Sequence, residues 1–249
     1  MNQSRALRIA LLGASGRMGQ AVEVLVKSRE GEQIIARWSE GDSDLAIGLT
    51  EVDVAVDFSA AVATPAIAAA VADAGIPLVS GTTGHSAAQR QALNQAGERV
   101  AVLHDGNMSL GIAVLSALAA NAAALLPDYD LEIIETHHRH KLDAPSGTAL
   151  KLSDALQQGR GINASVQSAN RSGTRAHRDV GIASIRGGDV VGEHRVLLLG
   201  DDDQIELTHK AKDRRLFAAG ALRAAHWLVD QPPGLYALKD VVSDQLRTQ

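Results

Sequence analysis

The sequence contains no cysteine, which excludes disulfide bonds, thiolate metal ligands and a cysteine nucleophile. Aromatic residues make up only 2% of the 249 residues and the net charge is -5, whereas proteins that bind nucleic acid usually combine a basic surface with stacking rings. Long hydrophobic runs are also missing, and the apolar stretch before Gly13 is too short for a signal sequence or a membrane span. We therefore expect a cytoplasmic protein with neither nucleic acid nor a membrane as its partner.

The first half of the chain alternates short apolar runs with alanine-rich amphipathic stretches. The runs predict buried strands at 8–12, 33–38, 52–58, 77–80 and 100–104. The stretches between them predict helices at 17–29, 62–74 and 86–99. Strand and helix in alternation indicate an α/β fold with a Rossmann-like, doubly wound parallel sheet.

The pattern changes after Asn107. Helices are expected at 110–126 and 149–156, and strands at 131–136, 180–186, 190–199 and 204–208. Several of these strands alternate in polarity or follow one another through glycine turns, which predicts a second, α+β domain with a mixed or antiparallel sheet. The polar stretch 157–178 is interpreted as an exposed loop, and a last helix at 216–229 precedes a short tail.

A glycine-rich turn follows the first predicted strand. Glycines between Gly13 and Gly19 permit a tight turn and let backbone N–H groups approach a pyrophosphate at the start of the next helix. The pattern alone also fits an ordinary strand-to-helix turn, but its place at the first βα turn favours dinucleotide binding. Residues 37–40 compete for the ribose position, where Glu40 would favour NADH and Arg37 would favour NADPH, so both coenzymes stay open.

Two later strand ends add polar loops where an open α/β sheet holds its ligand. One is Gly81-Thr82-Thr83-Gly84, which offers hydroxyls and amides, and the other is Asp105-Gly106-Asn107-Met108. Each would be an ordinary loop on its own. Together with the first turn they predict a rim that faces the coenzyme.

The densest group of charged residues is the basic cluster His137-His138-Arg139-His140-Lys141. Five successive side chains that can be positively charged, in a protein that is acidic overall, indicate a focused anion site. Gly147 and Thr148 follow, at the point where the next helix would expose its first amides. Two neighbouring anion anchors suit a small dicarboxylate substrate.

Three other interpretations of the basic cluster stay open. Zinc ligands are one, but the histidine spacing matches no helix-borne pair and no cysteine assists, so no metal site is expected. A solvated patch is another, which the position between an apolar strand and a helix start disfavours. The third interpretation is that at least one histidine only holds the loop together by hydrogen bonds, and His140 is the first candidate for that role. Elsewhere, His85 and His177 are expected to be exposed loop residues.

Several segments spread along almost the whole chain match one family pattern. They are 13–19, 56–59, 81–84, 107–109, 135–148, 192–194, 208–211 and the final helix. The run from Thr136 to Thr148 is the most specific. On these residues the chain resembles the dihydrodipicolinate reductase family, which implies reduction of 4-hydroxy-tetrahydrodipicolinate to tetrahydrodipicolinate with loss of water, in lysine and diaminopimelate biosynthesis, with NADH or NADPH as the reductant.

The resemblance also implies roles and an assembly. His137 would be the catalytic acid/base and Lys141 a proton donor, while His138, Gly147 and Thr148 would bind the substrate. The coenzyme would be lined by Gly13, Ala14, Ser15, Gly16, Arg17, Met18, Gly81, Thr82, Thr83, Asp105, Gly106, Asn107 and Met108. Residues 1–108 with 216–249 would form the dinucleotide-binding domain, and residues 109–215 a substrate domain whose sheet builds a homotetramer.

Two departures from the family pattern concern the coenzyme side. Ser39 stands where the family often has an acidic ribose ligand, so the resemblance does not transfer a coenzyme preference. Met108 replaces the more usual Phe, a change of bulk that leaves a backbone contact possible.

Two other functions compete with this one. One is a related oxidoreductase that acts on another small carboxylate, and the other is a nucleotide sensor without activity. The specific run at 136–148 disfavours the first, and the presence of two proton donors, His137 and Lys141, disfavours the second.

Overall fold

The structure is a computed structural model, and it describes residues 5–39, 41–42, 45, 49–163, 166–167, 172–176 and 179–247. The chain divides into two compact units. The first unit comprises Met1–Leu110 and Arg214–Gln249, and the second comprises Gly111–Asp213. The chain therefore leaves the first unit once and returns to it.

The helices and strands are numbered in chain order. They are β1 (Leu7–Leu12), α1 (Arg17–Lys27), β2 (Glu32–Trp38), β3 (Val54–Asp57), α2 (Thr64–Ala74), β4 (Leu78–Ser80), α3 (Ala87–Gly97), β5 (Ala101–His104), α4 (Leu110–Leu125), β6 (Asp130–His137), α5 (Gly147–Arg160), β7 (Val166–Gln167), β8 (Val180–Arg186), β9 (Gly192–Leu199), β10 (Gln204–Ala211), α6 (Arg215–Leu228), β11 (Gly234–Tyr236) and α7 (Leu238–Arg247).

The first unit contains a six-stranded sheet in the order β11-β5-β4-β3-β1-β2, and every neighbouring pair is parallel. The helices α2 and α3 pack together beside it, and α6 packs against α1, β3 and β4. The predicted doubly wound parallel sheet is confirmed. The strand order reverses between β1 and β3, and ligands of such sheets bind outside the carboxyl ends of the strands at that point.

The second unit contains a five-stranded sheet in the order β10-β9-β6-β8-β7. The pairs β10–β9 and β9–β6 are antiparallel, whereas β6–β8 and β8–β7 are parallel, so the predicted mixed sheet is confirmed. Leucines, isoleucines and alanines of α4 and α5 form the core against one face of this sheet. The strands β8 and β9 follow one another through the expected turn but do not pair, because β6 lies between them.

Three segments differ from the sequence-based expectation. The stretch 157–178, expected to be an exposed loop, contains the short strand β7, which pairs with β8. The helix α5 continues to Arg160 instead of ending at 156, because Arg160 donates hydrogen bonds to the carbonyls of Leu126 and Tyr129 and Gly161 ends the helix in a left-handed conformation. The tail contains a strand and a helix, β11 and α7, that the sequence pattern did not indicate. None of the helices in the described part of the chain combines the length and apolar character that crossing a membrane requires.

Candidate active site

The turn after β1 is shaped by glycines that accept no side chain. Gly13 has a φ of 78°, and a Cβ there would lie 2.6 Å from the backbone of Phe58. A Cβ on Gly19 would overlap the carbonyl oxygen of Gly13. Gly16 precedes α1 as its N-cap and supplies no side-chain hydrogen bond to the helix. This helix start, with its positive dipole end left to a ligand, suits the pyrophosphate of a dinucleotide.

Residues of the other two predicted rim loops follow β4 and β5, at the same edge of the parallel sheet as the glycine turn. A Cβ on Gly106 would lie 3.7 Å from the methyl group of Thr83, so the two loops are neighbours. Within them Thr82, Asp105 and Met108 are buried, while Thr83 and Gly106 are exposed. The structure therefore brings together the segments 13–18, 81–83 and 105–108, whose roles toward the coenzyme stay predictions.

The end of β2 lies beside the glycine turn. The Oγ atom of Ser39 accepts a hydrogen bond of 3.1 Å from the amide of Ser15. The guanidinium of Arg37 forms an ion pair of 2.8 Å with Glu23, whose pKa is lowered chiefly by that hydrogen bond. Glu40, the other candidate ribose ligand, lies outside the described residues.

His85 is not an exposed loop residue as expected, because its side chain is buried in the first unit. Its Nε2 atom lies 2.8 Å from the hydroxyl of Thr64, and its ring packs edge-on against His104 at 4.8 Å between centroids. Burial lowers the pKa of His85, and the neighbouring His104 lowers it further. His177, the other histidine of that expectation, lies outside the described residues.

In the second unit, Glu135 is the centre of a buried polar group at the end of β6. The strand alternates so that Leu131, Ile133, Glu135 and His137 share the buried face. Arg186 of β8 donates two hydrogen bonds to the Glu135 carboxylate, at 2.8 and 2.7 Å. The amide of Ser146 donates a third, at 3.2 Å. The Nδ1 atom of His137 lies 2.5 Å from the Oε2 atom of the same carboxylate.

These contacts determine the charge of Glu135. Burial raises its pKa, but hydrogen bonds from Arg186, Ser184 and His137 outweigh burial and lower the pKa to about 2. Glu135 is therefore an anion at neutral pH, held entirely inside the protein. Burial lowers the pKa of His137, and the contact with Glu135 offsets part of that effect.

A second buried histidine, His194 of β9, lies on the other side of His137. Their rings meet edge-on with centroids 5.2 Å apart, and the Nε2 atom of His194 lies 3.3 Å from the hydroxyl of Ser146. Burial is the main cause that lowers the pKa of His194 to about 4, and His137 adds to it. His194 is thus neutral near pH 7 and supports the ring of His137 without competing for its proton.

The rest of the basic cluster is more open to solvent. The Nζ atom of Lys141 donates a hydrogen bond of 2.7 Å to Asp143, and the Lys141 amide bonds the carbonyl of His138. The Nδ1 atom of His138 is buried and has no hydrogen-bond partner among the described residues. His140 is exposed and meets only the ring of His138 within the described part of the chain, so the expected loop-holding histidine is not this one.

The predicted substrate anchors Gly147 and Thr148 are the first two residues of α5. Ser146 is the N-cap, and its hydroxyl accepts a hydrogen bond of 3.1 Å from Ala149. A Cβ on Gly147 would meet no atom within 4 Å, so this helix start is open to a ligand. The positive end of the helix dipole here favours a carboxylate.

Four residues of this site were missed by the sequence analysis as functional candidates: Glu135, Ser146, Arg186 and His194. One signal was available, because period-two alternation places Glu135 on the same strand face as His137, and a carboxylate on an apolar face needs a reason. Arg186 and His194 come from β8 and β9, and only the strand register brings them to this point. In the described ranges, no set of three or more His, Cys, Asp or Glu side chains is gathered as a metal ion would require.

The first unit has a Rossmann-like sheet with a glycine turn at its switch point. The second unit has a carboxylate-bound histidine near a helix start. Together these features are typical of dinucleotide-dependent oxidoreductases. The chain belongs to the dihydrodipicolinate reductase family. The family model "Dihydrodipicolinate reductase, N-terminus" matches residues 7–108, and "Dihydrodipicolinate reductase, C-terminus" matches residues 111–242. The family resemblance predicted from the sequence is confirmed.

Curated relatives match almost the full length. The 4-hydroxy-tetrahydrodipicolinate reductase of Halorhodospira halophila is 42% identical over 95% of this chain and 99% of its own. The protein of the same name from Caulobacter vibrioides is 40% identical over 96% of this chain and 98% of its own. Among solved structures, the dipicolinate-bound dihydrodipicolinate reductase of Paenisporosarcina sp. TG-14 has a TM-score of 0.78 at 24% identity, covering 94% of this chain and 99% of that one, which supports the fold.

Proposed function

We propose that this protein reduces 4-hydroxy-tetrahydrodipicolinate to tetrahydrodipicolinate with loss of water, using NADH or NADPH, in the biosynthesis of diaminopimelate and lysine. The observation that carries the proposal is His137, bound through Nδ1 to the buried anion Glu135 and followed closely by the helix start at Gly147. Family membership over both units, and relatives of that name at about 40% identity, support the same reaction.

The glycine turn and the rim loops hold the coenzyme in this proposal. The amides at the start of α1 bind the pyrophosphate, and Gly13 and Gly19 keep the turn tight enough for it. Residues 81–83 and 105–108 line the rest of the site. When bound, the reduced nicotinamide supplies a hydride to the substrate ring. Because Arg37 is neutralised by Glu23, the ribose end discriminates weakly between NADH and NADPH.

Two anchors hold the two carboxylates of the substrate. The helix start at Gly147 and Thr148 receives one, since its dipole favours an anion there. His138 and Lys141, which follow closely after His137 in the same cluster, receive the other. Anchoring at both ends fixes the ring relative to the proton donors, which is how positioned groups accelerate a reaction.

The reaction consumes one hydride and one proton and releases one water. Water is lost when the hydroxyl group leaves together with a proton from the neighbouring ring carbon, which gives a C=C bond conjugated with the ring C=N bond. Hydride addition to this conjugated ring moves electron density toward the ring nitrogen, and one proton then completes the reduction. Lys141 supplies positive charge that stabilises this density, and His137 delivers the proton when its Nε2 atom is protonated. Glu135 holds His137 through Nδ1, so that Nε2 is the nitrogen left to act.

We propose a cytoplasmic homotetramer. A cytoplasmic location suits a reductase that needs reduced coenzyme. The helices α4 and α5 cover one face of the second unit's sheet, and Ile185, which is 50% exposed, lies on its other face. Strand alternation places Ile134 and Leu197 on that second face as well, and these apolar side chains support the assembly implied by the family resemblance. Light scattering of the purified protein would test it, and a monomer at micromolar concentration would contradict it.

A coupled assay tests the reaction. Dihydrodipicolinate synthase generates the unstable substrate, and oxidation of NADH or NADPH is followed by absorbance. We expect oxidation that depends on both the synthase and this protein. Oxidation of coenzyme with a different cyclic or linear dicarboxylate, and none with the synthase product, would support a related reductase. Coenzyme binding without turnover of any of these would support a sensor.

A further inference from the structure

Asp57, the last residue of β3, is a buried carboxylate at the coenzyme edge of the first sheet. It is only 1% exposed and accepts four hydrogen bonds from neutral donors. Its Oδ1 accepts from the amide of Ser59, at 2.9 Å, and from the Ser59 hydroxyl. Its Oδ2 accepts from the hydroxyls of Ser80 and Thr82, at 2.8 and 2.9 Å. A buried charge is costly unless such donors surround it, so its presence at this edge needs an explanation.

The two carboxylate oxygens of Asp57 connect two different loops. Oδ1 holds the loop that follows β3, whereas Oδ2 holds the end of β4 and the loop that follows it. The backbone strengthens the connection, because the amide of Gly81 donates to the Asp57 carbonyl at 2.9 Å. One side chain thus sets the distance between the ends of two neighbouring strands.

The loop after β3 is also the wall behind the glycine turn. A Cβ on Gly13 would lie 2.6 Å from the carbonyl of Phe58 and from the amide of Ser59, the amide that Asp57 binds. The ring of Phe58 lies against Gly81, where a Cβ would overlap it. Contacts therefore run without a break from the Gly13 turn through residues 58–59 and Asp57 to the loop at Thr82.

We propose that Asp57 is a positioning residue for the coenzyme, which joins the glycine turn to the loop at 81–83 and sets the shape of the rim. A carboxylate suits this task because it offers two acceptor oxygens and no donor, which matches the four donors around it. An asparagine has one acceptor oxygen, so if that oxygen stays on the Ser59 amide, its NH2 group must donate to the hydroxyls of Ser80 and Thr82, which reverses those two hydrogen bonds and removes the charge. The inference rests on the proposed function only in requiring a dinucleotide site.

Calorimetric titration with NADH and NADPH tests the inference without the reaction. We expect Asp57→Ala to weaken coenzyme binding about tenfold or more, and Asp57→Asn to weaken it about threefold to tenfold, because hydrogen bonds to a charged group are among the strongest. Ser80→Ala separates the indirect effect from direct contact. Ser80 is 0% exposed and cannot touch the coenzyme, so the expected weakening of coenzyme binding by about threefold would have to act through Asp57.

Asp53→Asn is the matched control. Asp53 precedes the same strand at its other end, where it bonds Arg8 and Arg5. We expect this variant to lose thermal stability and keep wild-type coenzyme affinity. Equal weakening by Asp53→Asn and Asp57→Asn would reduce the effect to general stability and overturn the inference.

Steady-state kinetics separates positioning from a structural role. The Asp57 and Ser80 variants should raise the KM for the coenzyme, while kcat at saturating coenzyme and the KM for the substrate stay near wild type. If Asp57→Ala does not fold, the same comparison of coenzyme KM, kcat and substrate KM in Asp57→Asn and Ser80→Ala tests the inference. Folded variants that bind coenzyme like the wild type would refute the role of Asp57 alone, whereas a wild-type protein that binds neither coenzyme would refute the proposed function.

Discussion

The Nδ1 atom of His137 lies 2.5 Å from the Oε2 atom of Glu135, two residues earlier on the same face of β6. The carboxylate stays ionised, since its pKa is lowered to about 2, and it therefore holds the Nδ1–H tautomer of the imidazole. The Nε2 atom lies beside Gly192, where a Cβ would be only 3.1 Å away. The site thus orients one nitrogen of His137 by a fixed anion and keeps space for the other.

Replacing Glu135 tests this orientation. Glu135→Gln keeps the shape but removes the charge that favours imidazolium, so the pKa of His137 should fall further. We expect kcat to drop about tenfold to a hundredfold, and the limb of the pH–rate profile that reports His137 to move to lower pH. The substrate KM should change little. Rates measured across a pH series would check both effects.

Glu132→Gln is the control for this variant. Glu132 lies on the same strand but on the opposite face, where it pairs with Arg175 at 3.3 Å. It should leave the pH–rate profile unchanged. A wild-type profile for Glu135→Gln as well would mean that the carboxylate only packs against Arg186.

The two proposed proton donors should behave alike. Lys141→Ala and His137→Gln each remove a general acid, which costs on the order of a hundredfold to ten-thousandfold in rate. Coenzyme affinity should stay near wild type in both, because neither residue belongs to the proposed dinucleotide site. Steady-state rates and calorimetric titration would measure the two quantities.

Arg139→Ala provides the control for charge. Arg139 is exposed within the same cluster, and its removal lowers the local charge by the same amount as Lys141→Ala. We expect nearly wild-type kcat. If all three variants lost rate equally, the cluster would act only as a general positive field.

The sequence predicted most of the fold because the strands of the first sheet are short buried runs with helices between them. It missed α7, and it missed β11 for a physical reason. β11 is three residues long and follows Pro232-Pro233, so it has no periodicity to read, and its stability comes from pairing with β5 more than a hundred residues earlier in the chain. The end of α5 was likewise fixed by Arg160 through carbonyls of another segment.

The part of the candidate site that lies in one contiguous segment, from His137 to Thr148, could be predicted from the sequence. Its supporting residues could not, because Arg186 and His194 reach Glu135 only through the register of β8 and β9 against β6. Glu135 itself was readable from alternation. The roles of these residues in catalysis stay predictions until the variants are measured.

Two substitutions in the glycine turn distinguish an effect on coenzyme binding from an effect on folding. A Cβ on Gly16 would lie 3.3 Å from the Gly13 carbonyl oxygen, a tight contact that a small shift of the turn relieves, so Gly16→Val should fold and yet obstruct the pyrophosphate. We expect coenzyme binding at least about tenfold weaker, with a small change in Tm. Gly19→Ala, in contrast, overlaps the Gly13 carbonyl and should lose stability of about 1–3 kcal/mol. Wild-type coenzyme affinity in Gly16→Val would place the pyrophosphate elsewhere.

Coenzyme preference should respond to Glu23. In the structure the carboxylate of Glu23 forms an ion pair with the guanidinium of Arg37. The wild type should therefore bind both coenzymes, with affinities that differ by less than about a thousandfold. Glu23→Gln would release Arg37 for a 2′-phosphate and shift the preference toward NADPH. Titration of both coenzymes at one salt concentration would measure the ratio. A strict wild-type requirement for one coenzyme, or no shift in Glu23→Gln, would show that Arg37 does not reach the ribose.

The buried His194 should make the protein sensitive to acid. Its pKa is lowered from 6.5 to about 4 in the folded state, so below pH 6.5 the unfolded chain binds a proton that the folded chain refuses. The free energy of unfolding should therefore fall as the pH drops from 6.5 to 4, by on the order of 3 kcal/mol from this residue. Glu135 adds a loss at lower pH, since its carboxylate stabilises the fold above pH 4.5 and that contribution disappears toward pH 2.

His194→Gln should flatten this dependence, because glutamine does not titrate. Urea unfolding at a series of pH values would give the free energy of unfolding for the variant and the wild type. Ser153→Ala serves as the control, since Ser153 is also buried in the second unit but carries no titratable group, so the slope between pH 6.5 and 4 should stay as it is in the wild type. A wild-type slope in His194→Gln would mean that His194 takes up a proton in the folded protein, and its role as a neutral support for His137 would then be wrong.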